Sequence, residues 1–167
     1  MKYYDTNIEN LKIRETSEDD CSLILSLIKE IADYEKMSDQ VIATEESLKE
    51  SIFKNKRAEV VILELDEKTI GYALYFYNYS TFIGKSGLYL EDIFIKKEFR
   101  GKGIGKEVFK FLVKKAKEEG CKRMEWSCLN WNEPSIKFYK SLGATPMDEW
   151  TIYRLTEKEI NRLSTME

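Results

Sequence analysis

Apolar residues at Leu23, Ile24, Leu27, Ile28 and Ile31 recur every three or four positions, the spacing that lines one face of a helix. Ser17-Glu-Asp-Asp just ahead of them reads as the start of that helix. A strand is predicted around Leu11 to Arg14 and a second helix over Glu45 to Phe53. Ala58 to Leu65 and Thr69 to Tyr79, rich in β-branched and aromatic residues, read as strands joined by a turn at Asp66-Glu-Lys. Gly87 to Ile95 is a further strand, and Gly103 to Glu119 a long amphipathic helix that Gly120 caps. Arg123 to Leu129 reads as a strand, and Pro134 opens a short helix closing at Gly143. Thr151 to Leu155 is expected as a last strand before a tail helix. A helix pair, a hairpin run and then strand–helix–strand describe an α/β (α+β) protein built on a mixed sheet.

With 167 residues, 43% hydrophobic and 34% charged, the chain has the length and composition of one globular domain. Two prolines and no repeat or low-complexity tract leave no linker to divide it. The first twenty residues lack the apolar core of a secretory leader, and runs such as Val60-Val-Ile-Leu are too short to cross a bilayer. Cys21, Cys121 and Cys128 are odd in number and lack metal-ligand spacing, so they are read as reduced thiols in a cytoplasmic protein that binds no metal.

The absence of histidine narrows the chemistry more than any motif does. It excludes Ser-His-Asp and Cys-His catalysis and leaves acid–base work to Glu, Asp, Tyr, Lys or Cys. Charge is uneven as well. Lys96 to Arg123 holds eleven basic and four acidic residues, leaving 16 of the 27 basic and 26 of the 30 acidic residues elsewhere, a balance of −10. The basic stretch suits a polyanionic cofactor and the acidic remainder a cationic partner. Nucleic acid is not expected, because the sequence pI of about 5.4 is acidic and the basic stretch has no aromatic platform for bases. No membrane partner is expected either.

The basic stretch contains Arg100-Gly-Lys-Gly-Ile-Gly105, between a predicted strand and a predicted helix. Glycines let backbone N–H groups approach a ligand, and a helix N-terminus adds unpaired donors, so the loop suits a pyrophosphate. It is one residue short of a Walker A loop, and Glu107 stands where that motif needs Ser or Thr. It is not a dinucleotide fingerprint, because Lys106 occupies the position of the third glycine.

Arg100-x-x-Gly103-x-Gly105 resembles the Q/R-x-x-G-x-G/A signature of the GNAT N-acetyltransferases. The resemblance extends over most of the chain to the diamine (spermidine/spermine) acetyltransferases. It is carried by Asp20-Cys-Ser-Leu-Ile-Leu-Ser-Leu-Ile-Lys-Glu30, Tyr34-Glu35, Tyr89-Leu-Glu-Asp92, the glycine loop, and Trp131-Asn-Glu-Pro-Ser-Ile-x-Phe-Tyr-Lys140. It implies the GNAT fold: a mixed, mostly antiparallel, twisted sheet flanked by helices, with two parallel strands splayed apart near Glu91 and Cys128. It also implies a homodimer, and acetyl-CoA as cosubstrate.

By the same resemblance Arg100, Gly101, Lys102, Gly103, Ile104, Gly105 and Lys106 hold the CoA pyrophosphate. Ile93, Phe94 and Ile95 offer backbone to the pantetheine, and Asn132, Glu133, Pro134, Ser135 and Tyr139 complete the cofactor contacts. Acetyl transfer to an alkylamine needs a base, because an ammonium with a pKa near 10 cannot attack a thioester, and a proton for the departing thiolate. Glu91, which follows an aliphatic residue in the strand feeding the loop, matches the family's glutamate that takes the amine proton and is expected as the base. Tyr139 matches the family's tyrosine that protonates departing CoA. Tyr34, Glu35, Glu91, Asp92, Glu125, Trp126 and Ser127 are expected to line the acceptor site. Asp92 would face away from Glu91 in a regular strand, whereas a bulge, which the family has here, would bring both carboxylates to the cleft. Glu125, Trp126 and the loop Thr145 to Trp150 depart from the family pattern, which leaves the acceptor open between a polyamine and a lysine-like amino acid such as thialysine. A CoA-binding module without activity would need neither Glu91 nor Tyr139.

Overall fold

The computed structural model describes residues 1–166. The chain divides into two compact units, Met1–Ser127 and Cys128–Glu167. In the first unit, the run Glu59–Leu65 (β3) buries Val60, Val61, Ile62 and Leu63 one after another, so both faces of the sheet are covered there. Its neighbours are Tyr3–Asp5 (β1), Leu11–Glu15 (β2), Lys68–Ser80 (β4), Lys85–Ile95 (β5) and Met124–Trp126 (β6). The six strands lie side by side in chain order. Every ladder from β1 to β5 is antiparallel. Only β5 and β6 run parallel, because the helix Ile104–Glu118 (α3) carries the chain back between them. This is the mixed, mostly antiparallel sheet expected from the sequence.

On one face, Cys21, Ile24, Leu27 and Ile31 of the helix Cys21–Tyr34 (α1) pack with Val60, Ile62, Tyr72 and Phe94 of the sheet. Leu48 and Ile52 join them from the second helix, which starts as Glu45–Leu48 (α2) and widens into π-helical turns over Lys49–Lys54. Thr44 caps α2 by accepting from the Ser47 N–H at 3.1 Å. On α3, Ile104, Val108 and Leu112 are buried, and each burial of a side chain of this kind contributes about 2 kcal/mol. The predicted β3–β4 turn forms with Asp66 and Glu67 both at positive φ, 49° and 62°, the geometry that suits a tight hairpin. Arg14, 6% exposed, ties β2 to the start of α1 and to β3 through Asp20 at 2.9 Å and Glu64 at 2.7 Å. Burial alone would raise the Asp20 carboxyl, but the bonds from Arg14 and the Ser17 backbone outweigh it and hold the group below its ordinary range.

Three elements differ from the sequence reading. The strand Tyr3–Asp5 was not anticipated; three residues are too short for a period, and the strand is held by its ladder to β2 and by the Tyr4 hydroxyl donating to Glu15 at 2.6 Å. The strand predicted over Arg123 to Leu129 is only Met124–Trp126. It pairs with Leu88–Leu90 alone, so the parallel ladder ends one residue before Glu91.

The second unit contains the helices Glu133–Ser141 (α4) and Glu157–Ser164 (α5). The strand predicted over Thr151 to Leu155 does not form: among the described residues no strand pairs with it, and Ile152, Tyr153 and Leu155 are exposed. β-propensity measures how well a side chain fits a pleated, half-buried surface, and without a neighbouring strand it cannot order the segment.

Candidate active site

The chain leaves β5, makes a short turn over Lys97–Phe99 and enters α3 through Arg100 to Gly103. Gly101 and Gly103 sit at φ 76° and 80°, in the left-handed region that side chains rarely adopt. A Cβ at Gly101 would meet nothing within 4 Å, and one at Gly103 only Ile8 Cδ1 at 3.9 Å. Backbone conformation rather than crowding therefore selects glycine, and the space outside the loop is open. The Lys106 and Glu107 N–H groups turn back to the Gly103 carbonyl at 3.1 and 3.3 Å. Helix geometry leaves the amides just before them without an intrahelical acceptor, at the positive end of the α3 dipole. The loop thus fits a pyrophosphate by its backbone, and the surrounding Arg100, Lys102 and Lys106 supply positive charge. The Arg100 side chain folds back, donating from Nε to the Ile95 carbonyl at 2.7 Å and placing its guanidinium 4.3 Å from the centre of the Tyr34 ring.

Strand β5 carries an irregularity where the carboxylates lie. Tyr75 pairs with Leu90 and Leu74 with Asp92, so Glu91 is the extra residue of a bulge. Glu91 is exposed, whereas Asp92 is half-buried and accepts a hydrogen bond from the Tyr72 hydroxyl at 2.7 Å. Burial raises the Asp92 carboxyl, and the bond from Tyr72 offsets part of that rise. Glu35 follows the last residue of α1, its N–H donating to the Ile31 carbonyl at 2.9 Å, and Lys36 behind it turns left-handed at φ 60°. A carboxylate at the negative end of a helix is unfavourable and makes a strong cation-attracting position. Burial and then the nearby Asp92 charge raise Glu35 as well. The Tyr72 phenol, raised far above its ordinary range by burial first, also feels Asp92, Glu35 and Glu91. Carboxylates raised by folding cost folding free energy wherever they are ionised, a cost that falling pH relieves and a bound ammonium would offset.

The structure therefore brings Glu35, Glu91 and Asp92 together around Tyr72. Sequence reading missed Tyr72; a tyrosine in a run of apolar strand residues looks like core, and only the hydrogen bond distinguishes it. Ile93, Phe94 and Ile95 follow the bulge, paired on one side with Ala73, Tyr72 and Gly71 respectively and beyond the end of the β6 ladder on the other.

The β6 residues have other contacts. Glu125 pairs with Arg123 at 2.9 Å and accepts from Asn78 at 3.2 Å. The Trp126 ring packs edge-on against Phe109 of α3 at 5.0 Å, and the Ser127 hydroxyl lies 2.9 Å from that of Tyr89. In the second unit, Asn132 caps α4, its carboxamide oxygen accepting from the Ser135 N–H at 3.4 Å. Glu133 and Pro134 lie in the first turn, and Tyr139 lies in the last turn of the same helix with its ring 5.6 Å from that of Phe138. Among the described residues, no group of three or more Cys, Asp or Glu side chains is placed to hold a metal ion.

A glycine-rich loop opening α3 beside a bulged strand is the arrangement expected of an N-acetyltransferase, and the model of the Acetyltransferase (GNAT) family matches residues 24–144. The chain belongs to that family. This acetyltransferase is 37% identical over 164 residues to the thialysine N-epsilon-acetyltransferase of Bos taurus, an alignment covering 91% of this chain and 96% of that one. It is 31% identical over 166 residues to the human spermidine/spermine N(1)-acetyltransferase-like protein 1, covering 93% of this chain and 24% of that longer protein. Among solved structures, an integron cassette protein from the mobile metagenome of V. cholerae superposes with a TM-score of 0.79 at 26% identity, covering 95% of this chain and all of the other. The acetyltransferase is thus an acetyl-CoA-dependent enzyme.

Proposed function

We propose that this enzyme moves an acetyl group from acetyl-CoA to a primary amine of a small cationic molecule, a polyamine or diamine such as spermidine or spermine. The observation that carries this reading is the gathering of Glu35, Glu91 and Asp92 around Tyr72 in one partly buried cluster. The names of the thialysine-acetylating relatives favour a second reading, in which the acceptor is a lysine-like amino acid. Both acceptors carry an alkylammonium to be acetylated and a second ammonium.

In either case acetyl-CoA supplies an activated thioester carbonyl, and the protein must position it and manage two protons. At neutral pH about one alkylamine in a thousand is unprotonated. Glu91 takes the proton from the bound ammonium so that the nitrogen lone pair can attack. The new C–N bond forms as the C–S bond breaks, the nitrogen releases its second proton to water, and Tyr139 protonates the sulfur and regains its own proton from solvent. The residues at 93–95 and 100–106, with Asn132 to Ser135 of α4, hold the cofactor. Because a thiolate with a pKa around 8.5 is already a fair leaving group, Tyr139→Phe is expected to lower kcat only about tenfold and to leave the acetyl-CoA KM within twofold. A wild-type kcat in that variant would remove Tyr139 from the proton path.

The deciding experiment is a panel of amines assayed for CoA release at two ionic strengths. Diamines, triamines and lysine-like amines are expected to exceed simple monoamines at least tenfold in kcat/KM, with the advantage shrinking as salt rises. Equal rates across the panel would remove the cationic acceptor. The relative order of triamine and lysine-like amine separates the two readings.

The relatives align nearly end to end with this chain, which supports a single N-acetyltransferase domain over residues 1–167. A homodimer follows from the family resemblance, and light scattering returning the mass of one chain would exclude it. A cytoplasmic location rests on the reduced-thiol reading of the cysteines. Among the described residues, no helix is long and apolar enough to cross a membrane.

A further inference from the structure

Tyr72 is fully buried, paired in register with Phe94 and packed with Cys21, Ile24, Leu27 and Ile31 of α1. Its ring lies 6.5 Å from that of Phe94, in an environment that phenylalanine would suit without a polar atom to satisfy. A hydroxyl buried in such a place costs free energy unless it is hydrogen-bonded. Its partner is Asp92 Oδ2, at 2.7 Å. Asp92 is the residue at which β5 returns to register after the bulge at Glu91, so the bond ties the half-buried carboxylate to the core just beyond the base of the proposed reaction.

We propose that Tyr72 is a positioning residue for the acceptor: its hydroxyl holds Asp92 in one orientation, so that the other carboxylate oxygen, together with Glu35, receives the second ammonium of the amine. This inference rests on the cationic-acceptor reading above and assigns that site a residue no sequence pattern marked. Three features support it. The phenol donates across the whole working range, because burial keeps it protonated far above neutral pH. The bond acts on a charged acceptor, the kind of hydrogen bond worth most in a partly buried site. Fixing a carboxylate before the ligand arrives removes the side-chain ordering that binding would otherwise require.

Tyr72→Phe keeps the ring and the packing and removes only the hydroxyl. It is expected to raise the KM for a diamine or lysine-like amine about tenfold. The kcat and the acetyl-CoA KM should stay within twofold, and a monoamine should lose far less than a diamine. A general loosening of the fold would instead affect acetyl-CoA and all amines alike, and that outcome would overturn the assignment. Asp92→Asn provides a second route that leaves Tyr72 in place. If the hydroxyl acts through Asp92, adding Tyr72→Phe to Asp92→Asn costs no more than Asp92→Asn alone, whereas additive losses would refute the coupling.

The positioning role of Tyr72 and the proposed function fail separately. If the wild type turns over cationic amines and Tyr72→Phe matches it in KM, the positioning role is wrong and the proposed function stands. If the wild type turns over none of them, the proposed function falls, and equilibrium binding of 1,5-diaminopentane still tests Tyr72. Binding about tenfold weaker in Tyr72→Phe supports the role, while equal affinity, or no binding to the wild type, ends it.

Discussion

Gly103→Asp is expected to leave a folded protein that gains no thermal stability from acetyl-CoA. In the wild type, acetyl-CoA at a hundred times its Kd should stabilise the folded state by about 2.7 kcal/mol through mass action. For a chain of this size that corresponds to a rise in Tm of roughly 5–10 °C. The substitution should cost about 1–2 kcal/mol, because Gly103 sits at φ 80° and an L-residue is strained there. Aspartate tolerates that region better than most residues, and its Cβ would meet only Ile8 Cδ1 at 3.9 Å. The loss of cofactor binding would therefore come from a negative charge at the amides proposed to hold the pyrophosphate. Gly103→Ala carries similar strain without the charge and should keep part of the shift. Scanning calorimetry with and without acetyl-CoA reads both variants. An undiminished shift in Gly103→Asp would move the phosphate site elsewhere.

Glu91→Gln is expected to lower kcat/KM for the amine about a hundredfold or more near neutral pH, the usual range for losing a positioned base. The deficit should shrink as pH rises toward 10, where the free amine becomes abundant without help. Glu91 is the exposed member of the cluster, on the bulge, and Gln keeps its size, so Tm should change far less than kcat/KM. A steady-state pH profile of both proteins checks this. Parallel profiles with a constant ratio would mean that Glu91 contributes charge rather than proton transfer. The same variant separates base from anchor, because Asp92 and Glu35 remain to bind the ammonium in its absence.

Much of the architecture could be read without coordinates. Leu23, Ile24, Leu27, Ile28 and Ile31 define α1 because a helix bringing one face to a sheet must repeat its apolar residues every three to four positions. The glycine loop was equally legible, since only glycine occupies φ near 80° cheaply and a ligand's phosphates need bare backbone. Where the pattern had no neighbour to act on, it misled. Thr151 to Leu155 has the composition of a strand, but strand formation depends on a ladder partner that local sequence cannot supply.

The sequence by itself determined the chemistry available: no histidine, a basic glycine-rich turn before a helix, and carboxylates and tyrosines as the remaining acid–base groups. Such properties are local, set by residue type and by spacing over a few positions. The family resemblance grouped Glu35, Glu91 and Asp92, but only tertiary structure supplied the physical reason they lie near one another. The bulge shifts the register at Glu91, the end of α1 brings Glu35 to Asp92 from far along the chain, and a buried hydroxyl on β4 ties Asp92 in place. Pairings of that kind depend on where strands slip and where helices end against them, and no period in the residues upstream encodes either.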